Sequence, residues 1–297
     1  MLCHLQRITT KDGVRLDGIF LKPKNPKKIA LLFVHGLTDC FYGDFEILNE
    51  LAKKFYKLGI GLASFNTRGH GIVSETIKKD KRKKSGYKSL TAGGVFEKFE
   101  DCVFDIDAVV NFLQNQGYSK IIVCGISTGA NKAAYYFSKP HSKLAKAAIL
   151  LSPGSDILGL KKEIGEVEFY KKYELAQRMI KFGKGDYLMP AQGSHFPFST
   201  RRYYGLYKEG GSEDIFSYGN LRAKFKGFSK IKEPILVVLG DNDKYLDRQP
   251  IEIIKALKKG ARKTKNFDSA IIQGGSHSYK EKEEELTKII INWILKI

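Results

Sequence analysis

The chain has 297 residues, enough to bury a sizeable core in one large domain or two modest ones. Hydrophobic residues make up 42% and aromatics 12%, which excludes a disordered chain, and no run approaches the ~18 apolar residues of a membrane span. Lysine and arginine number 51 against 32 acidic residues, and this net charge of +19 is spread along the chain as on a solvated surface, so neither a nucleic-acid nor a membrane partner is expected.

From the N-terminus, residues 5–10 and 14–21 alternate around "KDG" and predict an antiparallel hairpin. "IALLFVHG" is a continuous β-branched and aromatic run, as a strand buried on both faces should be. "DFEILNELAKKFYKLG" then repeats apolar residues at helical spacing and stops at Gly59. The alternation continues through the strand "IGLASFN", the helix "VFEKFEDCVFDIDAVVNFLQNQG", the strand "KIIVCG", the helix "STGANKAAYYFSK" and the strand "LAKAAILLSP". It resumes with "PILVVLG", "PIEIIKALKK", "SAIIQGG" and a closing helix, "KEEELTKIIINWILKI". Strands alternating with helices predict a mostly parallel central sheet covered by helices on both faces, because parallel neighbours need crossovers. The basic run "KKDKRKK" at 78–84 lacks interleaved aromatics and reads as an exposed loop.

Residues 155–230 break the rhythm. They hold one helical stretch, "EVEFYKKYELAQRMIKFG", and a long run rich in glycine, proline and rings. A structureless loop of that length is improbable in a compact domain, so 155–230 is expected to be an inserted cap or lid on a core made of 1–154 and 231–297. Its rings, Phe169, Tyr170, Tyr173, Phe182, Tyr187, Phe196, Phe198, Tyr203, Tyr204 and Tyr207, could line a pocket or pack the cap onto the core. A preference for anionic or aromatic acids would point to Arg201, Arg202 and these tyrosines, and indifference to such acids would leave the cap as a gate.

"GISTG", residues 125–129, is a weak pattern on its own, but here it ends a buried strand and opens a helix. A strand-to-helix turn that tight needs glycines and lifts the Ser127 side chain above the sheet, as a nucleophile requires. A serine hydroxyl needs a base, and the base a carboxylate to orient it. "GDNDKY" and "GGSHSY" follow the last two strands, which sets Asp243 and His277 on loops at the carboxyl edge of the sheet, where open α/β sheets build their sites. Asp241 and Asp156 are the alternatives for the acid. Backbone N–H groups for an oxyanion are expected from Thr128, directly after the serine, and from Leu37 in "HGL". His35 reads as a structural hydrogen bonder, His70 as a loop pin, and His195 as a cap residue that could touch substrate; His4 and His141 have no evident role. Cys3, Cys40, Cys102 and Cys124 show no C-x-x-C pair and read as reduced thiols. With no metal-ligand spacing, no cofactor or metal is expected. The N-terminus shows no apolar leader, so a cytoplasmic location is expected, with the oligomeric state open.

"FVHGL", "NTRGHG", "GISTG", "GDND" and "GGSH" occur in an order that resembles the α/β-hydrolase superfamily over essentially the whole chain. "NTRGHG" is similar to a loop of monoacylglycerol-lipase-like and serine-aminopeptidase-like hydrolases. "FPFSTRRYYGLYKEGGSEDIFSYG" and the serine-threonine-glycine elbow resemble the fungal siderophore-esterase family, which hydrolyses ester bonds in fusarinine-type siderophores. The lysine-rich insertion at 78–88 departs from that pattern. The resemblance implies an α/β-hydrolase fold and a serine carboxylic-ester hydrolase that forms an acyl-enzyme on a small to medium ester. Amide or peptide hydrolysis by the same residues, or ligand binding without turnover, are the alternatives.

Overall fold

The computed structural model describes residues 3–190, 197–219 and 225–297. Its centre is an eight-stranded sheet in the order β1-β2-β4-β3-β7-β8-β9-β10. The expected hairpin is β1 (Cys3–Thr9) and β2 (Arg15–Leu21), antiparallel in register Thr9 to Arg15, and it forms one margin. β2 meets β4 (Gly61–Phe65) antiparallel. Beyond it β3 (Ile29–Val34), β7 (Lys120–Ile126), β8 (Ala145–Leu151), β9 (Ile235–Gly240) and β10 (Phe267–Ile272) are all parallel.

Alternate residues of each strand feed opposite faces, as the pleat dictates. Ile121 and Val123 of β7 join the side chains of α2 (Cys102–Asn115), α3 (Thr128–Phe137) and α7 (Pro250–Gly260). Ile122, Cys124 and Ile126 face α1 (Phe45–Leu58) and α8 (Glu283–Lys296) instead. Two apolar layers thus clamp the sheet, and its carboxyl edge is held rigidly enough to carry a site.

A third apolar cluster lies within α4 (Asp156–Ile164), α5 (Glu166–Lys181) and α6 (Thr200–Leu206): Ile157, Leu160, Phe169, Ala176, Phe198, Tyr203, Leu206 and Tyr207, with Leu37 packed against it. Of the rings set apart in the sequence, Phe169, Phe198, Tyr203 and Tyr207 are consumed by this cluster, whereas Tyr170, Phe182 and Tyr187 are exposed. Ile215, Phe216, Tyr218 and Phe228 pack instead into the layer beneath α3. His195 and Phe196 lie outside the described residues.

Two sequence expectations need correction. The basic run at 78–84 is no loop throughout: Lys78 and Lys79 end β5 (Ser74–Lys79), which pairs antiparallel with β6 (Tyr87–Ala92) in a separate hairpin. Its residues are mostly polar on both faces, so no apolar alternation betrays the strands. The helix expected from Val95 starts only at Cys102, after a short 3-10 turn at Phe99–Asp101. Upstream, the Val95 carbonyl accepts the Ser199 N–H and Glu97 is pulled into a buried ion pair, so tertiary bonds override local helix propensity. Among the described residues no helix is long and apolar enough to cross a membrane, and all four cysteines are free.

Candidate active site

Ser127 stands between β7 and α3 with φ 54° and ψ −126°, a backbone conformation that a side-chain-bearing residue seldom adopts. Such strain persists only where the surroundings hold it. Here the Ser127 N–H donates to Leu151 O at 2.9 Å, and its carbonyl accepts the Ala130 N–H at 2.8 Å. The flanking glycines let the backbones approach. A Cβ at Gly125 would stand 2.0 Å from Gly129 O, and one at Gly129 would stand 2.1 Å from Val34 O.

The loop after β3 lies directly beside the serine: a Cβ at Gly36 would be 3.5 Å from Ser127 Cβ and 4.0 Å from its Oγ. Leu37 follows. Its carbonyl accepts the Thr38 hydroxyl at 2.7 Å, and Thr38 has φ 58°, which fixes the turn of this peptide. Thr128 is the first residue of α3, so its N–H is one of the donors that a helix leaves unpaired at its start. Underneath, fully buried His35 accepts the Thr67 N–H at Nε2 (3.0 Å) and donates from Nδ1 to Gly36 O (2.9 Å). Burial, and then the Lys132 charge, push its pKa down to about 3, so it is a neutral structural bridge. His70 donates from Nδ1 to Thr67 O at 2.9 Å and pins its own loop.

At the far side of the edge, His277 Nδ1 donates to Asp243 Oδ2 at 2.7 Å. Asp243 is buried, and its other oxygen accepts the Tyr245 N–H at 2.9 Å. This pairing puts the ring proton on Nδ1 and leaves Nε2 as the basic nitrogen. The Tyr245 ring meets the His277 ring edge-on, centroids 4.8 Å apart. Both alternative acids are engaged elsewhere. Asp241 Oδ1 accepts the Gly274 N–H at 2.6 Å, and Asp156 Oδ2 accepts Asn131 Nδ2 at 3.4 Å. Burial and the nearby Glu213 push Asp156 up to about 7.

The suggested anion-binding role of Arg202 is not met. Its side chain is buried in ion pairs with Glu213 and, at 3.8 Å, Glu97, and it donates to Gly94 O at 3.2 Å. Glu97 in turn pairs with Lys132 at 2.6 Å, and Lys132 reaches Thr67 Oγ1 at 3.1 Å. Two cations and two anions therefore tie α6 and Glu213 to the helix that begins at the elbow. Arg201 is exposed beside Asp186 at 3.3 Å. Only one sequence signal pointed to this network, a lysine inside the otherwise uncharged "GANKAAYYF".

The loop between Leu37 and α1 carries a further acidic pair. Asp39 accepts the Cys40 N–H at 2.8 Å, and Asp44, just ahead of α1, has an Oδ2 shut off from solvent and shares a side-chain hydrogen bond with Asp39. Burial and then the Asp39 charge, with a smaller push from Glu46, raise Asp44 to about 7 against the opposing pull of His277. Between the ~4 of a free carboxyl and this value the folded state holds a proton that the unfolded state has lost, so stability falls as pH rises through that window. Asp44→Asn, neutral at every pH, is expected to show a smaller drop in melting temperature from pH 5 to pH 8 than the parent chain. Identical drops in thermal melts at the two pH values would contradict this.

Residues 17–297 match the family model described as "Protein of unknown function (DUF1749)". A curated relative, the bifunctional esterase/perhydrolase DCH of Acinetobacter calcoaceticus, is 25% identical over 307 residues, covering 94% of this chain and 95% of its own. Among solved structures, the siderophore hydrolase EstB from Aspergillus fumigatus superposes with a TM-score of 0.71 at 19% identity, over 99% of this chain and 98% of its own. A highly thermostable carboxyl esterase from Bacillus coagulans gives 0.69 at 14% identity, over 100% and 99%. These likenesses show the α/β-hydrolase fold that the motif order implied.

Proposed function

This chain belongs to the DUF1749 family, and we propose that it is a serine carboxylic-ester hydrolase working through Ser127, His277 and Asp243. Ser127 Oγ attacks the ester carbonyl while His277 Nε2 takes its proton, and Asp243 holds the imidazole in the tautomer that makes this possible. The N–H groups of Leu37 and Thr128 receive the oxyanion of the tetrahedral intermediate. His277 then protonates the departing alcohol, and water attacks the acyl-enzyme by the same route in reverse. Every step uses groups of the chain and water. The helices of 155–230 act as a cap over this edge, and the substrate is a small to medium ester.

The observation that carries this reading is the 2.7 Å bond from His277 Nδ1 to a buried Asp243, at the same sheet edge as a serine held in a strained turn. The names of its relatives, an esterase/perhydrolase and a siderophore hydrolase among them, support ester chemistry. Initial rates on short-chain nitrophenyl esters and the matched nitroanilides test it. Ester hydrolysis well above anilide hydrolysis, lost in Ser127→Ala, is the expected result. Faster cleavage of the anilide would move the reaction to amides, and equal ester rates in the parent chain and Ser127→Ala would remove the assignment.

A further inference from the structure

The end of β8 holds both partners of the proposed proton transfer. Leu151, its last residue, accepts the backbone N–H of Ser127 at 2.9 Å. Ser152, the next residue, donates its hydroxyl to the backbone carbonyl of His277 at 2.8 Å. One peptide step of β8 thus separates the anchor of the serine from the anchor of the histidine.

Tyr279 lies beneath this step and is fully buried. Its hydroxyl donates to Val238 O on β9 at 2.7 Å, accepts at 2.9 Å the Ser152 N–H, which is shared with Val238 O at 2.9 Å, and lies 3.0 Å from Ser152 Oγ. The rest of the ring packs in the apolar layer with Leu286, Ile290 and Trp293, where phenylalanine would fill almost the same space. A hydroxyl in that layer is costly unless it is bonded, and among the described residues this one is bonded to β9 and to Ser152, which follows β8. Ser152 and Tyr279 also have left-handed backbones, φ 46° and 56°, so the chain is held in two strained turns to bring these groups together.

We propose that Tyr279 and Ser152 are positioning residues that fix His277 relative to Ser127, an inference that rests on the reading of His277 as the base. Tyr279 reinforces the Ser152 N–H bond to β9 and braces the Ser152 hydroxyl, and Ser152 then grips the His277 main chain from the strand that also grips Ser127. Asp243 controls the ring's tautomer, while this pair controls where the ring stands.

The test compares Tyr279→Phe, Ser152→Ala and the double variant on a nitrophenyl ester, far below each melting midpoint, with Ser127→Ala as control. A displacement of about 1 Å costs on the order of 10²-fold in rate, so each single variant should lose about ten- to a hundredfold in kcat with KM within about twofold. The rate of fluorophosphonate labelling should fall in parallel. Because both residues act through one node, the double variant should be no slower than the worse single one. Single variants with parental kcat and labelling rate would overturn the proposal, and so would losses that multiply in the double variant. Should Tyr279→Phe not fold, Ser152→Ala, which deletes one oxygen, carries the same test. Parental activity in Ser127→Ala would sink the underlying reading, whereas an inactive Ser127→Ala beside fully active Tyr279→Phe and Ser152→Ala would sink only this inference.

Discussion

Asp243→Asn is expected to lower kcat on a short-chain nitrophenyl ester by about 10⁴-fold, with KM little changed and the fold intact. The reason lies in how the two oxygens are used. Asp243 Oδ1 accepts the Tyr245 N–H at 2.9 Å and Oδ2 accepts His277 Nδ1 at 2.7 Å, so both positions call for acceptors. Asparagine has one oxygen. If it stays on Tyr245, the amide NH₂ faces the imidazole, Nδ1 must become the acceptor, and the proton moves to Nε2, where the base is needed. Steady-state kinetics with a circular-dichroism melt check this. A loss of less than about tenfold in a folded variant would mean that Asp243 does not orient the base.

Arg202→Ala carries the largest expected cost in stability, about 3–5 kcal/mol, because it leaves a buried charge without its partner. Arg202 is 2% exposed, and Glu213 and Glu97 face it from the same interior. Burial disfavours its charge, but Glu213 and then Glu97 outweigh this and raise its pKa. Without it, among the described residues, Glu213 keeps no cation in contact and Glu97 keeps only Lys132. The converse also follows. Removing both partners as Arg202→Met with Glu213→Leu should restore much of the loss, since a matched apolar pair avoids the desolvation that the ions incur. Urea denaturation of the three proteins decides it; a single variant within about 1 kcal/mol of the parent would show that the network contributes little.

The parallel core was legible because its strands are continuous apolar runs and its helices keep a clean apolar stripe, as in "IALLFV" and "FEILNELAKKF". The places of Ser127, Asp243 and His277 at the carboxyl edge of the sheet were legible because each follows a strand that ends in glycine-bearing sequence. What escaped is what depends on distant partners. α4 and α6 are short and were lost in a segment rich in glycine and rings. β5 and β6 have no buried face to impose alternation. Arg202 looked like a free cation because no local pattern announces that Glu213 and Glu97 will neutralise it. Ser152 was read only as part of the strand "LAKAAILLSP" and Tyr279 only as part of the loop that carries His277, since a node spanning 127 positions leaves no trace in local spacing.

The central claim is that Ser127 is the nucleophile. Incubation with a fluorophosphonate followed by peptide mapping tests it most directly, because the reagent reports the attacking atom whatever the natural ester is. The expected result is stoichiometric phosphonylation of Ser127, abolished in Ser127→Ala and slowed in His277→Ala. Phosphonylation of another residue, or none in a protein that still hydrolyses nitrophenyl esters, would contradict it.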